Sequence, residues 1–543
     1  MQSQDLISKG VLYVQKLTVK YKSLADLLER SAAAHRGKPL FYFPDDELEI
    51  SYDSFCRMVN KVANLIAGLG IKKGDRVSVM LPNIVEFPML WMAIARQAAV
   101  MVPTNNSYKS ADLKYIINDS GAKIIFIHAD YYSVLKEIHS GCPELKHIVV
   151  IGGDVPPGVI DFDAEMDKVQ ESFSGITPVL DDLVNIQYTS GTTGFPKGCM
   201  LSHKYWLQMG QVASDYLNIR QGDRDLCAQP FYYMDAQWNM ILCMMHGIAL
   251  VVMKRFSTSR HWSVCREYDV TFFYCIGTMP SYLASKPENP VIEQQHKLRV
   301  VICSGIYPQM HEYFEKRWNV PWREAFGMTE TGVDLMVPLE DKESVGSGAM
   351  GKPIPSKEAK LIDQSGAVVP RGELGQLLVR GEPMMLGYWN NPVATAEIIN
   401  DGWLHTGDLA FMCDKGYYHW AGRIKDMIRR AGENISAAEV ESVLTGHQDI
   451  KLAAVVPVPD LLRGEEVKAY VVLKEGKSAG DVSPEAIVEF AAMKLSTFKI
   501  PRYIEYRTEL PRTPSERVEK HRLINEREDL RLNSYDAVDK TWR

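Results

Sequence analysis

The strongest constraint on the fold is an alternation of apolar, β-rich runs with helix-like segments up to about residue 180. The runs RVSVML, KIIFIH and HIVVIGG are interleaved with segments such as MVNKVANLIAGLG and SADLKYIINDSG. Strands that are apolar throughout and are linked by helices are typical of parallel sheets with both faces covered. The pattern continues in LVVM, VTFFYCI and LRVVICSG. These features predict an α/β fold.

Two changes of character predict the domain organisation. Residues 346–419 contain short strands broken by glycine and proline, which indicates a small antiparallel β unit. After AGRIKDMI a compact pattern of helices and strands resumes for about 120 residues, enough for a separate domain. We predict a large N-terminal domain over 1–424, made of two α/β-covered sheets plus a small β subdomain, and a small mobile C-terminal α+β domain over 425–543. The charge-dense residues 515–543 are expected to form a solvated helix and tail.

Composition excludes several classes of protein. A chain of 543 residues with 46% hydrophobic and 24% charged residues is an ordinary globular protein of more than one domain. The net charge of −7 gives no general attraction for nucleic acid or an anionic membrane. Nine cysteines, mostly in apolar runs and never spaced C-x-x-C, indicate buried thiols in a reducing compartment. We expect a cytoplasmic protein with no nucleic-acid partner and no membrane span.

The stretch YTSGTTGFPKG at 188–198 is unsuited to a core or a regular element. The preceding NIQYTS can end a strand, after which small residues let backbone N–H groups and hydroxyls surround a phosphate, with Lys197 as the counter-charge. The spacing does not fit a Walker A loop. Taken alone, the stretch is equally consistent with a flexible surface loop.

Further motifs follow in a fixed order: EAFGMTET at 324–331, GWLHTGD at 402–408 and GRIKDMIRRAGENIS at 422–436. Together with the glycine-rich loop they resemble the ANL superfamily of acyl- and aryl-CoA synthetases, nonribosomal adenylation domains and beetle luciferases. The resemblance covers essentially the whole chain. It implies a large domain that holds ATP and a carboxylate, and a small domain that swings between an adenylating and a thioester-forming position. GSGAMG at 346–351 lacks the strand and helix of a dinucleotide site and is set aside.

The resemblance also implies roles for individual residues. Phe326, where the family usually has tyrosine, would lie against adenine, with the Gly305 region on its other face. Thr329 would contact the α-phosphate, and Glu330 would hold Mg²⁺. Asp408 and Arg423 would bind the ribose. The full implied nucleotide-binding set is Thr189, Ser190, Gly191, Thr192, Thr193, Gly194, Lys197, Gly305, Ile306, Phe326, Gly327, Met328, Thr329, Asp408 and Arg423.

The C-terminal motif departs from the family pattern P-R-T-x-S-G-K-[IV]. The stretch LPRTPSERVEKHRL places Glu516 at the glycine and Arg517 at the catalytic lysine. A planar guanidinium is a poor substitute for a compact ammonium between two oxyanions. Lys520, three residues on, is about 10 Å away if the chain is extended. We therefore expect slow or absent adenylation; the alternative is that Arg517 shifts slightly and adenylation survives at a reduced rate.

Other implied residues belong to the thioester half of the reaction. The small domain would pivot at Lys425, and Gly432 would let the backbone pass close to a pantetheine arm. In QPFYYMDAQW, the side chains of Tyr233, Asp235 and Trp238 suggest an altered acyl pocket, although aromatic core packing explains them equally well. The implied acyl and CoA channel is completed by Ser304, Ala431 and Gly432. The implied catalytic residues are Thr329, Glu330, Lys425, Gly432 and Arg517.

The sequence thus favours an enzyme that forms an acyl-CoA from an acyl-adenylate and CoA, with a separate ligase supplying acyl-AMP if adenylation is absent. The alternatives are a complete ATP-dependent, AMP-forming carboxylate-CoA ligase and an inactive acyl-adenylate-binding protein. A luciferase-like oxidase and a standalone carrier-loading enzyme are weaker alternatives. The expected ligands are a small carboxylic acid, CoA, acyl-AMP or ATP, and Mg²⁺ if adenylation occurs.

Overall fold

A computed structural model of the protein describes residues 16–189, 196–276, 279–431, 433–512 and 518–543. The helices are α1 (Leu24–Ala34), α2 (Tyr52–Gly68), α3 (Glu86–Arg96), α4 (Ser110–Ser120), α5 (Tyr132–Ile138), α6 (Phe162–Met166), α7 (His203–Leu217), α8 (Met234–His246), α9 (His261–Glu267), α10 (Met279–Ala284), α11 (Pro290–Glu293), α12 (Pro308–Trp318), α13 (Pro392–Ile398), α14 (Ala437–Thr445), α15 (Pro484–Ala492) and α16 (Lys520–Ile524).

The strands are β1 (Pro39–Phe43), β2 (Leu48–Ser51), β3 (Arg76–Met80), β4 (Val100–Pro103), β5 (Ala122–His128), β6 (His147–Ile151), β7 (Ile160–Asp161), β8 (Leu183–Thr189), β9 (Lys197–Ser202), β10 (Arg224–Cys227), β11 (Ala249–Val252), β12 (Phe272–Ile276), β13 (Val300–Ser304), β14 (Trp322–Met328), β15 (Gly332–Met336), β16 (Ala349–Pro353), β17 (Lys357–Ile362), β18 (Gly375–Gly381), β19 (Ile399–Asn400), β20 (Trp403–Met412), β21 (Tyr418–Arg423), β22 (Met427–Arg430), β23 (Glu433–Ser436), β24 (Ile450–Asp460), β25 (Gly464–Leu473), β26 (Tyr503–Tyr506), β27 (Tyr535–Asp536) and β28 (Thr541–Trp542).

The first sheet has the order β7-β6-β5-β3-β4-β8-β9 and is parallel except for the β8–β9 hairpin. Its central strands are buried, as their apolar sequences require. Helices α2 and α3 contribute apolar faces to the largest core cluster. The side chain of Ser51 caps α2 by accepting a hydrogen bond from the Ser54 N–H.

The second sheet combines a parallel part with an antiparallel extension. Strands β11, β10, β12, β13 and β14 are parallel neighbours, and β1 joins the edge at β11. Beyond β14 the sheet continues antiparallel through β15, β16, β21, β20, β18 and β17. The antiparallel strands expected within 346–419 therefore continue the edge of the large sheet.

The third sheet contains β22 to β28 and belongs to the C-terminal part of the chain. The expectation of a solvated tail over 515–543 is wrong for its last strands, because β27 pairs with β26 and Asp536 is fully buried. Arg502 and Arg543 approach the Asp536 carboxylate to 3.1 and 2.6 Å, and this pairing makes burial of a charge-dense segment tolerable.

The predicted α/β class, with a large N-terminal and a small C-terminal domain, is confirmed. The boundary between 424 and 425 stays a prediction; it falls in the short 3-10 turn Ile424–Asp426. All nine cysteines are free and most are buried, as expected. Within the described ranges, no helix combines the length and apolar content that a bilayer span requires.

Candidate active site

The glycine-rich loop connects the two strands of an antiparallel hairpin. Thr189 ends β8 and lies opposite Lys197, the first residue of β9, and the Thr189 hydroxyl donates to the Lys197 carbonyl at 3.4 Å. The Lys197 ammonium lies 5.2 Å from the centroid of the Tyr388 ring. The predicted phosphate-binding residues within the loop lie outside the described residues: Ser190, Gly191, Thr192, Thr193 and Gly194.

The turn between β14 and β15 carries Thr329 and Glu330. The Tyr388 hydroxyl donates to the Glu330 carboxylate at 2.8 Å, and the Glu330 carbonyl accepts the Met385 N–H at 2.7 Å. The Tyr205 hydroxyl donates to the Thr329 carbonyl at 2.9 Å. Glu330 is buried, so these contacts fix its side chain and backbone together. Tyr388 contacts both Glu330 and Lys197, so it connects the turn to the β8–β9 hairpin. The sequence motifs predict these two groups of residues separately.

The Glu330 carboxylate fits the predicted Mg²⁺ in ligand chemistry, since Mg²⁺ prefers carboxylate and phosphate oxygens. Burial, and then the nearby Glu330 carboxylate, raise the pKa of the Tyr388 hydroxyl and of the Cys199 thiol. Both groups therefore stay neutral at physiological pH.

A buried ion pair lies beneath this turn. Lys357 and Asp334 have fully buried side chains, and their charged atoms are 3.3 Å apart. The Lys357 ammonium also donates to the carbonyls of Thr331 at 2.8 Å and Pro383 at 2.5 Å. The Thr331 hydroxyl donates to Asp334 at 2.5 Å. The pair thereby ties the Glu330 turn to the 381–385 segment.

The expected adenine site lies at the ends of β13 and β14. Phe326 is half-buried on β14, and Gly305 and Ile306 follow β13. Both oxygens of Glu324 accept backbone hydrogen bonds, from the Gly305 N–H at 2.5 Å and the Ile306 N–H at 2.8 Å. Burial raises the pKa of Glu324 to about 8. Glu324 begins the EAFGMTET motif, but its contacts with the residues after β13 depend on strand pairing and have no local sequence signal.

Two further predicted residues of this segment, Gly327 and Met328, pair with the start of β15. A Cβ on Gly327 would meet the Gly332 carbonyl oxygen at 2.1 Å, so the close backbone approach requires glycine. Met328 lies half-buried opposite Gly332. This tight pairing defines the direction in which the chain enters the Glu330 turn.

The predicted ribose-binding residues lie opposite each other on β20 and β21. The Arg423 guanidinium is 3.0 Å from the buried Asp408 carboxylate, and the Trp420 indole N–H donates to the same carboxylate at 3.1 Å. Trp420 was not predicted, because its contact with Asp408 depends on strand pairing. A carboxylate on this rigid sheet suits the two hydroxyls of a ribose.

The predicted hinge residue, Lys425, is two residues beyond Arg423 along the chain. Lys425 lies in the 3-10 turn that follows Arg423, where burial lowers the pKa of its ammonium. The Lys520 ammonium is 2.7 Å from Glu441 of α14. Arg512 donates to the Tyr282 hydroxyl of the large domain at 2.5 Å. The predicted residues Gly432 and Arg517 lie outside the described residues.

The remaining predicted residues are those expected to line the acyl and CoA channel. The Tyr274 hydroxyl donates to Ser304 at 2.9 Å, and the Trp238 ring packs on Tyr274 with centroids 5.6 Å apart. Tyr233 and Asp235 lie at the start of α8. The Ala431 N–H donates to the Arg463 carbonyl at 2.7 Å in the C-terminal sheet.

Comparison with known proteins identifies the family. The model described as AMP-binding enzyme matches residues 28–389, and that described as AMP-binding enzyme C-terminal domain matches 439–517. The crotonobetaine/carnitine–CoA ligase of Proteus mirabilis is 34% identical over 489 residues, covering 88% of this chain and 93% of that protein. The Salmonella heidelberg ligase of the same name is 32% identical over 487 residues, with the same coverage.

Solved structures give the same result. The anthranilate CoA ligase AuaEII in complex with anthranoyl-AMP has a TM-score of 0.87 at 27% identity, covering 94% of this chain and 98% of that one. ATP-bound MatB from Rhodopseudomonas palustris has a TM-score of 0.84 at 26% identity, covering 92% and 98%. The chain therefore belongs to the AMP-binding enzyme family and is an acyl-CoA synthetase/ligase.

Proposed function

We propose that this enzyme joins a carboxylic acid to CoA through an acyl-adenylate, and that adenylation is its slow half-reaction. In the first half, a carboxylate oxygen attacks the α-phosphorus of ATP and pyrophosphate leaves with the electron pair of the broken P–O bond. In the second, the CoA sulfur attacks the acyl carbon, the bond to AMP breaks, and the thiol proton passes to solvent. The relatives named above, for crotonobetaine/carnitine and for anthranilate, support a small carboxylic acid as the substrate.

The described residues supply the parts that a nucleotide needs. Asp408 and Arg423 would hold the ribose, and Phe326 would lie on adenine. Lys197 and Thr329 would contact phosphate oxygens. Mg²⁺ on the Glu330 carboxylate, when bound, would neutralise part of the triphosphate charge. These groups serve the acyl-adenylate as well as ATP, so they support both half-reactions.

The observation that carries the proposed slow step is the pair Glu516–Arg517 in place of glycine and lysine. Guanidinium is planar and larger than ammonium, and Glu516 adds a negative charge beside it. By analogy with the loss of one transition-state donor, adenylation would slow by about a hundredfold to a thousandfold. Lys520 is already paired with Glu441 at 2.7 Å, which argues against its replacing the missing lysine.

The first prediction concerns Arg517. We expect Arg517→Lys, and more strongly the double variant with Glu516→Gly, to raise carboxylate-dependent pyrophosphate exchange by about a hundredfold, because an ammonium again fits between carboxylate and α-phosphate. CoA transfer from synthetic acyl-adenylates is expected to stay within about twofold, since that half does not use this residue. Arg522→Lys, the same change at an exposed position nearby, is the control.

Three results discriminate among the candidate functions. Wild-type exchange as fast as wild-type CoA transfer would contradict the slow step and favour a complete ligase with ordinary adenylation. No exchange with any acid, but rapid CoA transfer, would favour an enzyme supplied with acyl-AMP by a separate ligase. Tight acyl-AMP binding without any CoA transfer would identify an acyl-adenylate-binding protein.

A further inference from the structure

Tyr388 lies between two groups that the proposed function assigns to the triphosphate. Its hydroxyl donates to Oε1 of Glu330 at 2.8 Å, and the centroid of its ring lies 5.2 Å from the Lys197 ammonium. Glu330 is the residue expected to hold Mg²⁺, and Lys197 is expected to contact phosphate oxygens. One buried side chain thus contacts both the expected metal ligand and the expected phosphate-binding cation.

The segment around Tyr388 runs alongside β9, the strand that begins with Lys197. Tyr388 forms an antiparallel β-bridge with Cys199, and the Trp389 N–H donates to the Gly198 carbonyl at 2.7 Å. This pairing fixes the backbone that carries the ring relative to the start of β9. The ring is therefore presented to the Lys197 side chain by the strand pairing itself.

The same segment is also tied to the Glu330 turn through the backbone. The Met385 N–H donates to the Glu330 carbonyl at 2.7 Å, and the Tyr388 N–H donates to the Thr395 hydroxyl at 2.8 Å. The carbonyl and the side chain of Glu330 are therefore both held by residues 385–388. Hydrogen bonds of this kind orient a metal-binding carboxylate and increase its affinity for the metal.

We propose that Tyr388 is a positioning residue for adenylation, which orients Glu330 for Mg²⁺ through its hydroxyl and the Lys197 ammonium for phosphate through its ring. The inference rests on the proposed function, in which both groups act on ATP. An aromatic face attracts an ammonium, and does so more strongly where water is excluded. The hydroxyl and the ring therefore have separate roles, which different substitutions remove.

The plain structural explanation is that Tyr388 is a core tyrosine whose buried hydroxyl needs an acceptor. Its side chain is part of the largest core cluster. In that case, loss of the hydroxyl would lower the melting temperature and would affect nucleotide binding equally with and without Mg²⁺. The dependence of binding on Mg²⁺ distinguishes the two explanations.

The measurement is the affinity of the full-length protein for α,β-methylene-ATP, an analogue that cannot lose pyrophosphate, determined by calorimetry. Each protein is titrated in Mg²⁺ and again in EDTA, and the ratio of the two affinities gives the coupling between metal and nucleotide. The affinity of the free analogue for Mg²⁺ is the same in every titration, so it cancels when two proteins are compared. Neither titration requires turnover.

Tyr388→Phe removes the hydroxyl and keeps the ring. We expect the gain in affinity from Mg²⁺ to fall by about tenfold, the lower end of the range for losing a hydrogen-bond partner of a metal ligand. The affinity in EDTA should stay within about twofold, because the ring still contacts Lys197. Tyr388→Leu removes the ring as well, and should also weaken binding in EDTA by about threefold to tenfold.

Tyr418→Phe is the matched control, since Tyr418 is another buried tyrosine of the large domain and its hydroxyl donates to the Ala359 carbonyl at 2.9 Å. This variant is expected to keep both wild-type affinities. Glu330→Gln tests whether the Tyr388 hydroxyl acts through the carboxylate: adding Tyr388→Phe to it should cause no further loss of the Mg²⁺ effect. Melting curves check the folding of every variant.

An unchanged Mg²⁺ effect in Tyr388→Phe, or additive effects of Tyr388→Phe and Glu330→Gln, would overturn the inference. Failure of Tyr388→Phe to fold would also overturn it, because the hydroxyl would then be needed for the structure itself. Failure of the proposed function is a separate result: the expected coupling without pyrophosphate exchange or CoA transfer would refute the ligase activity and keep the role of Tyr388. A wild-type protein that does not bind the analogue would refute both.

Discussion

Glu324 holds the backbone on the expected adenine side of the site. Its two oxygens accept the N–H groups of Gly305 and Ile306, which follow β13. Burial raises its pKa to about 8, above the ordinary value of 4.5. The folded protein therefore retains a proton that the unfolded chain releases, and this difference links stability to pH.

We expect the stability of wild type relative to Glu324→Gln to fall as pH rises from about 4.5 to about 8, and to level off above that, because glutamine is a neutral replacement that does not titrate. The measurement is the melting temperature of both proteins across this pH range. A constant difference between the two curves would contradict the raised pKa. Glu340→Gln, at an exposed glutamate, is the control and should show no such trend.

The motifs point to individual site residues where a short segment carries the expected chemistry. Asp408 and Arg423 were assigned from separate motifs, and the structure pairs them. Tyr388 and Trp420 were not assigned, because each reaches its carboxylate through the pairing of distant segments. A contact of this kind has no local sequence signal.

At the level of elements, the buried pair Lys357–Asp334 joins β17 to β15 beneath the Glu330 turn. Burial lowers the pKa of the Lys357 ammonium and raises that of the Asp334 carboxyl, while each partner opposes the shift of the other. Three backbone carbonyls also accept from the ammonium. Removing one partner would leave the other charge buried without compensation.

We expect Lys357→Met to destabilise the protein by about 3–5 kcal/mol, the range for breaking a buried ion pair. The double variant Lys357→Met/Asp334→Leu should recover much of this loss, because no charge then remains buried. Lys360→Met on the same strand, which loses a cation-π contact with Trp403, should cost under about 1 kcal/mol. Thermal and denaturant unfolding measure all three, and a wild-type melting curve for Lys357→Met would contradict the assignment.

Prediction of the elements succeeded where the sequence has a continuous apolar run, as in β3, β5 and β13. It failed for the end of the chain, where charge density suggested solvent. In the structure, Asp536 is buried with Arg502 and Arg543 as partners, and Tyr535 pairs with Ile504 on β26. The composition of the segment could not reveal that Arg502, which is distant in sequence, compensates the charge of Asp536.

For the molecule as a whole, the important contact is between the two domains. Arg512, directly before residues 513–517, donates to Tyr282 on α10 of the large domain. The Ser436 hydroxyl also donates to the Ala421 carbonyl across the hinge. These contacts tie Arg512 and Ser436 to residues of the large domain.

We expect Tyr282→Phe to slow pyrophosphate exchange by up to about tenfold, because a hydrogen bond from a charged donor is lost in this orientation. On the expectation that thioester formation uses the other position of the small domain, CoA transfer from a synthetic acyl-adenylate should change by less than about twofold. Tyr313→Phe removes a similar hydroxyl contact with Arg317 inside the large domain and is the control. Equal slowing of both half-reactions would show that Tyr282 has no role specific to one orientation.

The pairing of β1 with β11 has a consequence for biosynthesis. The first sheet is built from residues 76–202, so it can assemble early on the ribosome, whereas the edge of the second sheet must wait until residue 252 has been made. The expected ribose pair closes only when Arg423 emerges, long after Thr189. For most of translation, therefore, a bound nucleotide cannot stabilise the nascent chain, and the apolar core alone must protect it from aggregation.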